Sequence, residues 1–231
     1  MQFFDPSILQ SGQYHDWLVQ GLVLSLQLTA SSFVIALPFG ALVAVMRTSS
    51  AGLLRAIGST IVEAIRNVPL LAHLLFWYFA FPELLPEGAR DFLYAHNPEA
   101  VCAVIALSLY SGVHMAEDIR SGIRAVPASQ LEAARSLGLG RFAAVRLVLL
   151  PQALRAATPP LLSQTVNLWK DTSVATVIGA AELMYQAARV ETSSFRSVEA
   201  FTFATLAYLT VSLLISFAAW LFQRRYPVRP A

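Results

Sequence analysis

The stretch from Leu18 to Met46 is a run of 29 residues without a charged side chain. A membrane-spanning helix needs about 20 apolar residues, because it rises 1.5 Å per residue through a hydrocarbon core ~30 Å thick. No Lys or Arg precedes Arg47, so the run lacks the basic segment that begins a cleavable signal peptide. The whole chain is 56% hydrophobic and only 13% charged, whereas a soluble domain has about 25% charged residues. These features predict an integral membrane protein with short loops, whose first span is not cleaved.

Four further apolar stretches predict an all-α integral membrane protein of about five transmembrane helices. The second span joins Val68–Phe81 to Ile57–Ile65, and the fourth is extended backwards through Leu147–Leu154. We predict a single transmembrane domain over residues 1–231. Its spans are expected at about residues 17–46, 57–81, 100–121, 148–170 and 199–223. The last span ends in an interfacial aromatic cluster of Trp220, Phe222 and Tyr226.

The arginines are distributed unevenly between the two sides of the predicted membrane. The richer side holds Arg47, Arg55, Arg66, Arg120, Arg124, Arg135, Arg141, Arg146, Arg224, Arg225 and Arg229. The opposite side holds Arg90, Arg189 and Arg196. Cytoplasmic loops are enriched in Lys and Arg, so the richer side is the cytoplasmic one. The sequence therefore predicts an outer N-terminus, an inner C-terminus, and a cytoplasmic loop over about residues 124–151.

The cytoplasmic loop contains signals for a short helix. Ser129 and Glu132 fit the S-x-x-E capping box, which predicts a helix that begins at Ser129. Gly138 occupies the position just beyond the helix end, where glycine is favoured, and Arg135 lies in the last turn. These residues predict a helix of about two turns that ends at a glycine.

A second short helix is predicted from Arg141 to Pro151, which marks the next boundary. Its residues Phe142, Val145 and Leu149 recur at i, i+3 and i+7 and form a narrow apolar stripe on a basic helix. From this pattern alone two interpretations remain. The stripe lies on the membrane surface, or it is buried against another protein.

The spacing within this loop resembles a family signature. Glu132-Ala133-Ala134, three residues, Gly138, nine residues, Val148, one residue and Leu150-Pro151 are similar to the EAA loop of bacterial ABC-importer permeases, where isoleucine is commoner at the Val148 position. The resemblance covers nearly the whole chain and is closest to the polar amino acid permeases, the histidine, glutamine and glutamate–aspartate group. The other residues that carry it are Glu63-x-x-Arg66-Asn67-x-Pro69-Leu70-Leu71, Ala116-Glu117-x-x-Arg120-x-Gly122-Ile123-x-x-x-Pro127, Leu168-Trp169-Lys170-Asp171-Thr172-Ser173 and Val177-Ile178-Gly179-x-x-Glu182-Leu183.

The resemblance implies that the loop forms a coupling helix, which leaves the membrane to dock in a cleft on an ATPase subunit. The residues expected at that contact are Glu132, Ala133, Ala134, Gly138, Arg141, Phe142 and Pro151. The implied partners are an ATP-binding cassette ATPase dimer, a second permease subunit (a paralogue or a copy of this chain) and a periplasmic amino-acid-binding protein. The implied location is the bacterial inner membrane, in contact with lipid, and no nucleic acid is expected to bind.

The chain itself lacks the motif of a nucleotide site. Its one lysine, Lys170, lies between Trp169 and Asp171 and cannot belong to a G-x-x-x-x-G-K-[ST] loop. ATP and Mg²⁺ are therefore expected on the partner ATPase, while this chain is expected to be no enzyme and to carry no cofactor. Cys102 stands alone, so neither a disulfide nor a thiolate metal cluster is expected.

The fourth predicted span carries the densest set of polar residues. A central Asp, Lys or Arg costs roughly 2.5–3.5 kcal/mol on insertion scales, so each requires a reason. Lys170 and Asp171 lie about 27 Å along the helix from Gln152, toward the periplasmic half. The predicted substrate-path stripe is Ser163, Gln164, Asn167, Lys170 and Asp171. Two interpretations remain: the stripe lines a path for a zwitterion, or Lys170 and Asp171 form an interfacial ion pair whose lysine snorkels to the headgroups.

A second polar set lies on the third span. His114, Glu117 and Asp118 are stacked at i, i+3 and i+4, one turn after Tyr110. A histidine with two carboxylates could serve metal or proton chemistry. Because the span enters from outside, His114 is expected at its cytoplasmic end, and the favoured interpretation is polar packing near the loop. His73 is expected to be a packing or pore-side residue rather than a metal ligand.

Three classes of function are compatible with these features. The first is the permease subunit of an ATP-driven importer that moves a polar amino acid, such as glutamate or aspartate, from a periplasmic binding protein into the cytoplasm. The second is an ion-coupled secondary amino acid transporter that uses Lys170 and Asp171, although no inverted repeat of the kind found in such transporters is visible. The third is a membrane-bound structural or assembly factor, which would leave the polar stripe unexplained.

Overall fold

The computed structural model describes residues 10–225. Tyr226 and Arg229, which belong to the predicted aromatic cluster and basic tail, lie outside this part. The helices are α1 (Gln13–Thr48), α2 (Gly52–Arg66), α3 (Leu70–Leu75), α4 (Glu87–Ala95), α5 (Pro98–Arg124), α6 (Ala128–Ser136), α7 (Arg141–Ala144), α8 (Leu150–Asp171), α9 (Leu183–Ser194) and α10 (Ser197–Arg225). Helical turns of other types follow α3, α7 and α8, at Phe76–Ala80, Phe81–Leu84, Val145–Leu149 and Thr172–Ile178. The all-α class is confirmed.

The membrane-crossing capacity differs between the helices. Within residues 10–225, α1, α5 and α10 are each long and apolar enough to cross a bilayer alone. The segments Gly52–Arg66 and Leu70–Leu84 pass the same test only as a pair. Helix α8 does not pass it, because its polar residues lower the mean hydropathy. The predicted number of five spans therefore stays a prediction.

The predicted second span is not one straight helix. Its two halves meet at an angle of 97°, and the break falls at Asn67, Val68 and Pro69. Proline has no N–H to continue a helix and disfavours helical geometry in the residue before it. His73 reaches back across the bend, where its Nε2 lies 3.0 Å from the carbonyl oxygen of Ile65. His73 is thus a packing residue at the bend.

Helices α1 and α5 form the centre of the structure and touch at glycines. A Cβ at Gly40 would lie 2.5 Å from the carbonyl oxygen of Gly112. The two backbones are therefore so close that no side chain fits at position 40. At the end of this contact Arg47 forms an ion pair with Glu117, which also pairs with Arg120 at 3.5 Å. Glu117 is therefore engaged between helices rather than free for metal chemistry.

Helix α8 packs against the C-terminal end of α5 through small residues. A Cβ at Gly122 would lie 2.6 Å from the carbonyl oxygen of Ala153 and 2.8 Å from the Cβ of Ala157. This close contact holds the two helices together near the loop. Farther along, polar side chains stand between them.

Two predicted boundaries in the loop are wrong. Helix α6 begins at Ala128 with Pro127 at its N-cap, and no side chain caps it, so Ser129 and Glu132 form no capping box. Pro127 already has a helix-compatible φ of −59°, because its ring fixes that angle. Helix α7, the π turn Val145–Leu149 and α8 are continuous across Pro151. The wider π turn before the proline relieves the clash of its ring with the carbonyl four residues earlier.

Candidate functional site

A cavity of ≈ 360 Å³ lies between α5 and α8, beyond their close contact. Its lining residues are Tyr110, Ser111 and His114 from α5 and Gln164, Asn167, Lys170 and Asp171 from α8. On each helix these residues recur three or four positions apart and so share a face. All seven side chains have a polar group that can form a hydrogen bond with a ligand, and six of them are longer than serine. The cavity is thus a polar compartment within an apolar helix pair.

The two charged residues of the cavity are not paired with each other. Among the described residues 10–225, neither Lys170 nor Asp171 forms an ion pair. Lys170 is exposed and Asp171 is half-buried. An ammonium and a carboxylate therefore line one wall of the cavity, and each retains its capacity to bind a group of opposite charge.

The amide side chains of the cavity are ordered by a hydrogen bond. Asn167 donates from Nδ2 to Oε1 of Gln164 over 3.0 Å. This leaves the amide nitrogen of Gln164 and the amide oxygen of Asn167 to bind other groups. The wall of α8 thus combines both charges with a donor and an acceptor.

Ser163 does not line this cavity. It lies on a separate groove of ≈ 170 Å³ between α8 and α10, together with Ser216 and Gln223. Its hydroxyl donates to the carbonyl of Pro159 over 3.3 Å. Ser163 precedes Asn167 by about one turn of the helix, and at that level this side of α8 faces α10 rather than the cavity. Four of the five residues of the predicted stripe therefore line the cavity, and Ser163 lies outside it.

The contribution of α5 to the cavity was missed. Polar packing near the loop was expected for His114, yet its ring lines the cavity and stacks edge-on against Tyr110 at 4.9 Å. Within the described residues its Nε2 is buried without a hydrogen-bond partner. The i, i+4 spacing of Tyr110 and His114 was a usable signal, but only the packing of α8 shows what that face meets. No group of three His, Cys, Asp or Glu side chains suited to a metal ion occurs in residues 10–225.

The loop between α5 and α8 presents apolar side chains to solvent. Gly138 has φ +84° and closes α6 with two hydrogen bonds, from its own N–H to Arg135 and from the N–H of Leu139 to Ala134. This is the predicted glycine end of the helix. Leu137 is 84% exposed and Phe142 is 78% exposed.

The residues assigned to ATPase coupling lie together in this loop. Ala134 is buried against the loop itself. The exposed members are Glu132, Ala133, Gly138, Arg141, Phe142 and Pro151. Large exposed apolar side chains beside charged ones are typical of a protein interaction surface.

Comparison with known proteins identifies the family. Residues 36–227 match the model of the binding-protein-dependent transport system inner membrane component. The chain belongs to this family. The glutamate/aspartate import permease protein GltJ of Escherichia coli strain K12 is 32% identical over 216 residues, which cover 92% of this chain and 88% of GltJ. The probable glutamine ABC transporter permease protein GlnM of Bacillus subtilis strain 168 is 35% identical over 225 residues, covering 96% and 95%.

A solved structure agrees with these relatives. The crystal structure of an amino acid ABC transporter with histidines contains a chain that is 33% identical and superposes with a TM-score of 0.80. The match covers 92% of this chain and 95% of that chain. The prediction of an ABC-importer permease is confirmed, and the family favours it over the ion-coupled transporter.

Proposed function

We propose that this permease moves a polar amino acid through the cavity between α5 and α8. The observation that carries the proposal is the unpaired Lys170 and Asp171 on one wall of that cavity. A zwitterionic amino acid bears a carboxylate and an ammonium, which are the complements of these two groups. Hydrogen bonds to charged groups contribute about 1.5–3 kcal/mol each, so two such contacts suffice to select zwitterions.

The remaining cavity residues suit a polar side chain on the substrate. His114, Tyr110 and the Gln164–Asn167 pair supply donors and acceptors around the charges. Relatives of this chain are named for glutamate/aspartate import and for glutamine transport. We propose glutamate, aspartate or a closely related polar amino acid as the substrate, delivered by a periplasmic binding protein.

Uptake measurements test this proposal directly. Cells in which this chain is the sole source of its permease function are supplied with radiolabelled glutamate, aspartate, glutamine and leucine. The proposal expects uptake of at least one of the three polar amino acids, and loss of that uptake in Lys170→Met at unchanged membrane abundance. Wild-type uptake by Lys170→Met, or transport of leucine alone, would contradict it.

We propose that the loop from Glu132 to Pro151 docks on an ATPase dimer that binds ATP and Mg²⁺. The exposed Leu137 and Phe142 are the apolar groups offered to that partner. Proline cannot adopt the φ of +84° at Gly138, because its ring holds φ near −65°. Gly138→Pro is expected to abolish transport-coupled ATP hydrolysis while the chain still inserts in the membrane.

A neighbouring glycine provides the matched control for that variant. Gly140 has φ −62° and open space where a Cβ would stand, so Gly140→Ala is expected to keep coupling intact. Normal substrate-stimulated hydrolysis in Gly138→Pro would refute the docking role.

The second permease subunit, a paralogue or a copy of this chain, is identified by mass spectrometry of the purified transporter.

We propose that the N-terminus is periplasmic and the C-terminus cytoplasmic in the bacterial inner membrane. The arginine distribution supports this orientation. Reporter fusions at Gly12 and after Ala231 are expected to lie on opposite sides. Reporters on the same side would exclude an odd number of spans.

A further inference from the structure

The most deeply buried charged group of the described chain lies outside the cavity. Glu182 has no exposed surface and stands at the N-cap of α9. Its Oε1 accepts from the N–H of Tyr185 over 2.9 Å, and its Oε2 accepts from the N–H of Met184 over 3.0 Å. A carboxylate at a helix N-terminus satisfies otherwise unpaired N–H groups and is stabilised by the helix dipole.

The carboxylate also binds side chains from two other helices. Ser25 of α1 donates to Oε2 over 3.2 Å, and Tyr208 of α10 donates to the same oxygen over 2.8 Å. Ser25 in turn accepts from the N–H of Leu183 over 3.1 Å. One turn before Ser25, a Cβ at Gly21 would lie 2.9 Å from the Cα of Leu183. Glu182 therefore fastens the start of α9 to both α1 and α10, far beyond what a helix cap requires.

Tyr208 extends this connection to α8. Its backbone carbonyl accepts from the indole Nε1 of Trp169 over 3.1 Å, and the two rings pack with centroids 5.0 Å apart. Trp169 is fully buried. It immediately precedes Lys170, which faces the cavity. Trp169, which anchors α8, is thus followed in the same helical turn by Lys170 and Asp171, which line the cavity.

We propose that Glu182 is a positioning residue that sets the rotation of α8 about its axis through Tyr208 and Trp169. Because successive residues project about 100° apart, the direction of Trp169 determines the direction in which Lys170 and Asp171 face the cavity. Glu182 holds the phenol of Tyr208, and the backbone of Tyr208 holds the indole of Trp169. The inference rests on the proposed transport function of the cavity, which gives that orientation its role.

A simple helix cap would behave differently. If Glu182 only terminates α9, removing the hydroxyl of Tyr208 or the indole N–H of Trp169 leaves both capping bonds to Met184 and Tyr185 in place. Tyr208→Phe, which removes only a hydroxyl, would then leave the cavity unchanged. The proposed linkage instead requires that both variants alter the cavity although Glu182 itself is intact.

The test uses Tyr208→Phe and Trp169→Phe in the intact transporter, with Tyr185→Phe as the matched control. The hydroxyl of Tyr185 takes no part in the network, whereas its backbone N–H does and is unchanged by that substitution. Three quantities are measured: membrane abundance, the substrate concentration for half-maximal uptake, and the acetylation rate of Lys170 by an N-hydroxysuccinimide ester. Lys170 is the only lysine of the chain, so one peptide reports its reactivity by mass spectrometry.

Both linkage variants are expected to raise the half-saturating concentration about threefold to tenfold, the effect of losing one hydrogen bond. They are also expected to change the acetylation rate of Lys170 by about twofold or more on the same grounds. Tyr185→Phe is expected to match the wild type in all three quantities. Glu182→Gln, which keeps one carbonyl oxygen for Tyr208, is expected to fall between the wild type and Tyr208→Phe.

The proposal is overturned if the reagent acetylates Lys170 at the wild-type rate in both Tyr208→Phe and Trp169→Phe, whatever the abundance of these variants. The acetylation rate does not depend on transport, so it separates this proposal from the proposed function. If Lys170→Met transports normally while the linkage variants still alter Lys170 acetylation, the cavity is not the path and the positioning role stands. If Lys170→Met is inactive and acetylation is unchanged, the cavity assignment stands and Glu182 is only a cap.

Discussion

Glu182 and Asp171 lie eleven residues apart in the chain, but their carboxylates have opposite environments in the fold. Glu182 is fully buried and its two oxygens accept four hydrogen bonds. Asp171 is half-buried at the edge of an open cavity, and in residues 10–225 its carboxylate has no ion pair. The carboxylate of Glu182 is thus fully hydrogen-bonded within the protein, whereas that of Asp171 remains available to bind another group.

Polar residues in an apolar chain differ in whether the protein itself supplies all their partners. A buried polar group that finds all its partners within the protein stabilises the fold and has nothing left for a ligand. A charged group that faces an open polar cavity without a partner keeps its binding capacity. On this criterion Glu182 is a structural anchor, whereas Lys170 and Asp171 are the groups that we propose to bind the substrate.

The largest expected effect comes from Glu182→Ala. The substitution leaves two backbone N–H groups and two hydroxyls without their acceptor in a buried site. Each buried donor left without a partner costs about 1–3 kcal/mol, so we expect strong loss of protein from the membrane. Quantitative immunoblotting of membranes checks it. Accumulation of Glu182→Ala at the wild-type level would break the contrast between the two sites.

The next effect is that of Lys170→Met combined with Asp171→Asn. We expect uptake to fall at least about tenfold, because two charge-assisted contacts of about 1.5–3 kcal/mol each are lost. Abundance is expected to stay near the wild-type level, since no ion pair between the two residues is broken. Radiolabelled uptake normalised to abundance checks both statements. A double variant that transports normally would assign the two charges to the membrane interface.

Asp171→Asn alone tests whether the carboxylate of Asp171 serves binding or stability. The substitution removes the charge but keeps an acceptor oxygen, so we expect uptake to fall about threefold to tenfold, the cost of weakening one charged hydrogen bond. If Asp171 instead stabilised the fold through its charge, the variant would lose stability while its uptake stayed the same. Measuring thermal unfolding of the detergent-solubilised transporter distinguishes these cases. A marked loss of stability with unchanged uptake would place Asp171 beside Glu182 as a structural group.

The smallest effect is expected for Ser163→Ala. Ser163 faces the groove toward α10 rather than the cavity, and an exposed substitution typically changes stability by less than about 0.5 kcal/mol. Uptake is expected to stay within about twofold of the wild type on this basis. It serves as the control on the same helix for the two cavity variants. A loss comparable to that of Asp171→Asn would return Ser163 to the path.

Features that depend on short segments were predictable from the sequence. The length of uncharged runs decides which helices can cross a bilayer, and α1, α5 and α10 meet this requirement in the structure. Gly138 ends α6 as expected, because few residues other than glycine tolerate a φ of +84°. The spacing of the EAA loop was sufficient to indicate the family. Each of these properties is set by the local chemistry of consecutive residues.

Two helix boundaries predicted from local sequence signals were wrong, because a neighbouring residue or turn determined the helix geometry instead. The capping box at Ser129 was displaced by Pro127, and the boundary at Pro151 was removed by the π turn before it. The second span bends by 97° at Pro69, although its apolar run is almost continuous. Hydropathy measures how apolar a segment is, and contains no information on the direction of its axis.

The packing of the helices determines which polar residues face the cavity. From the sequence alone it follows that α8 is polar, that Lys170 is the only lysine and that a charged segment separates α5 from α8. The packing of α5 decided that His114 joins the cavity and that Ser163 does not. The long-range contacts of Glu182 with Ser25 and Tyr208 made that carboxylate an internal anchor. A side chain's availability depends on partners that are distant in sequence, and folding brings those partners together.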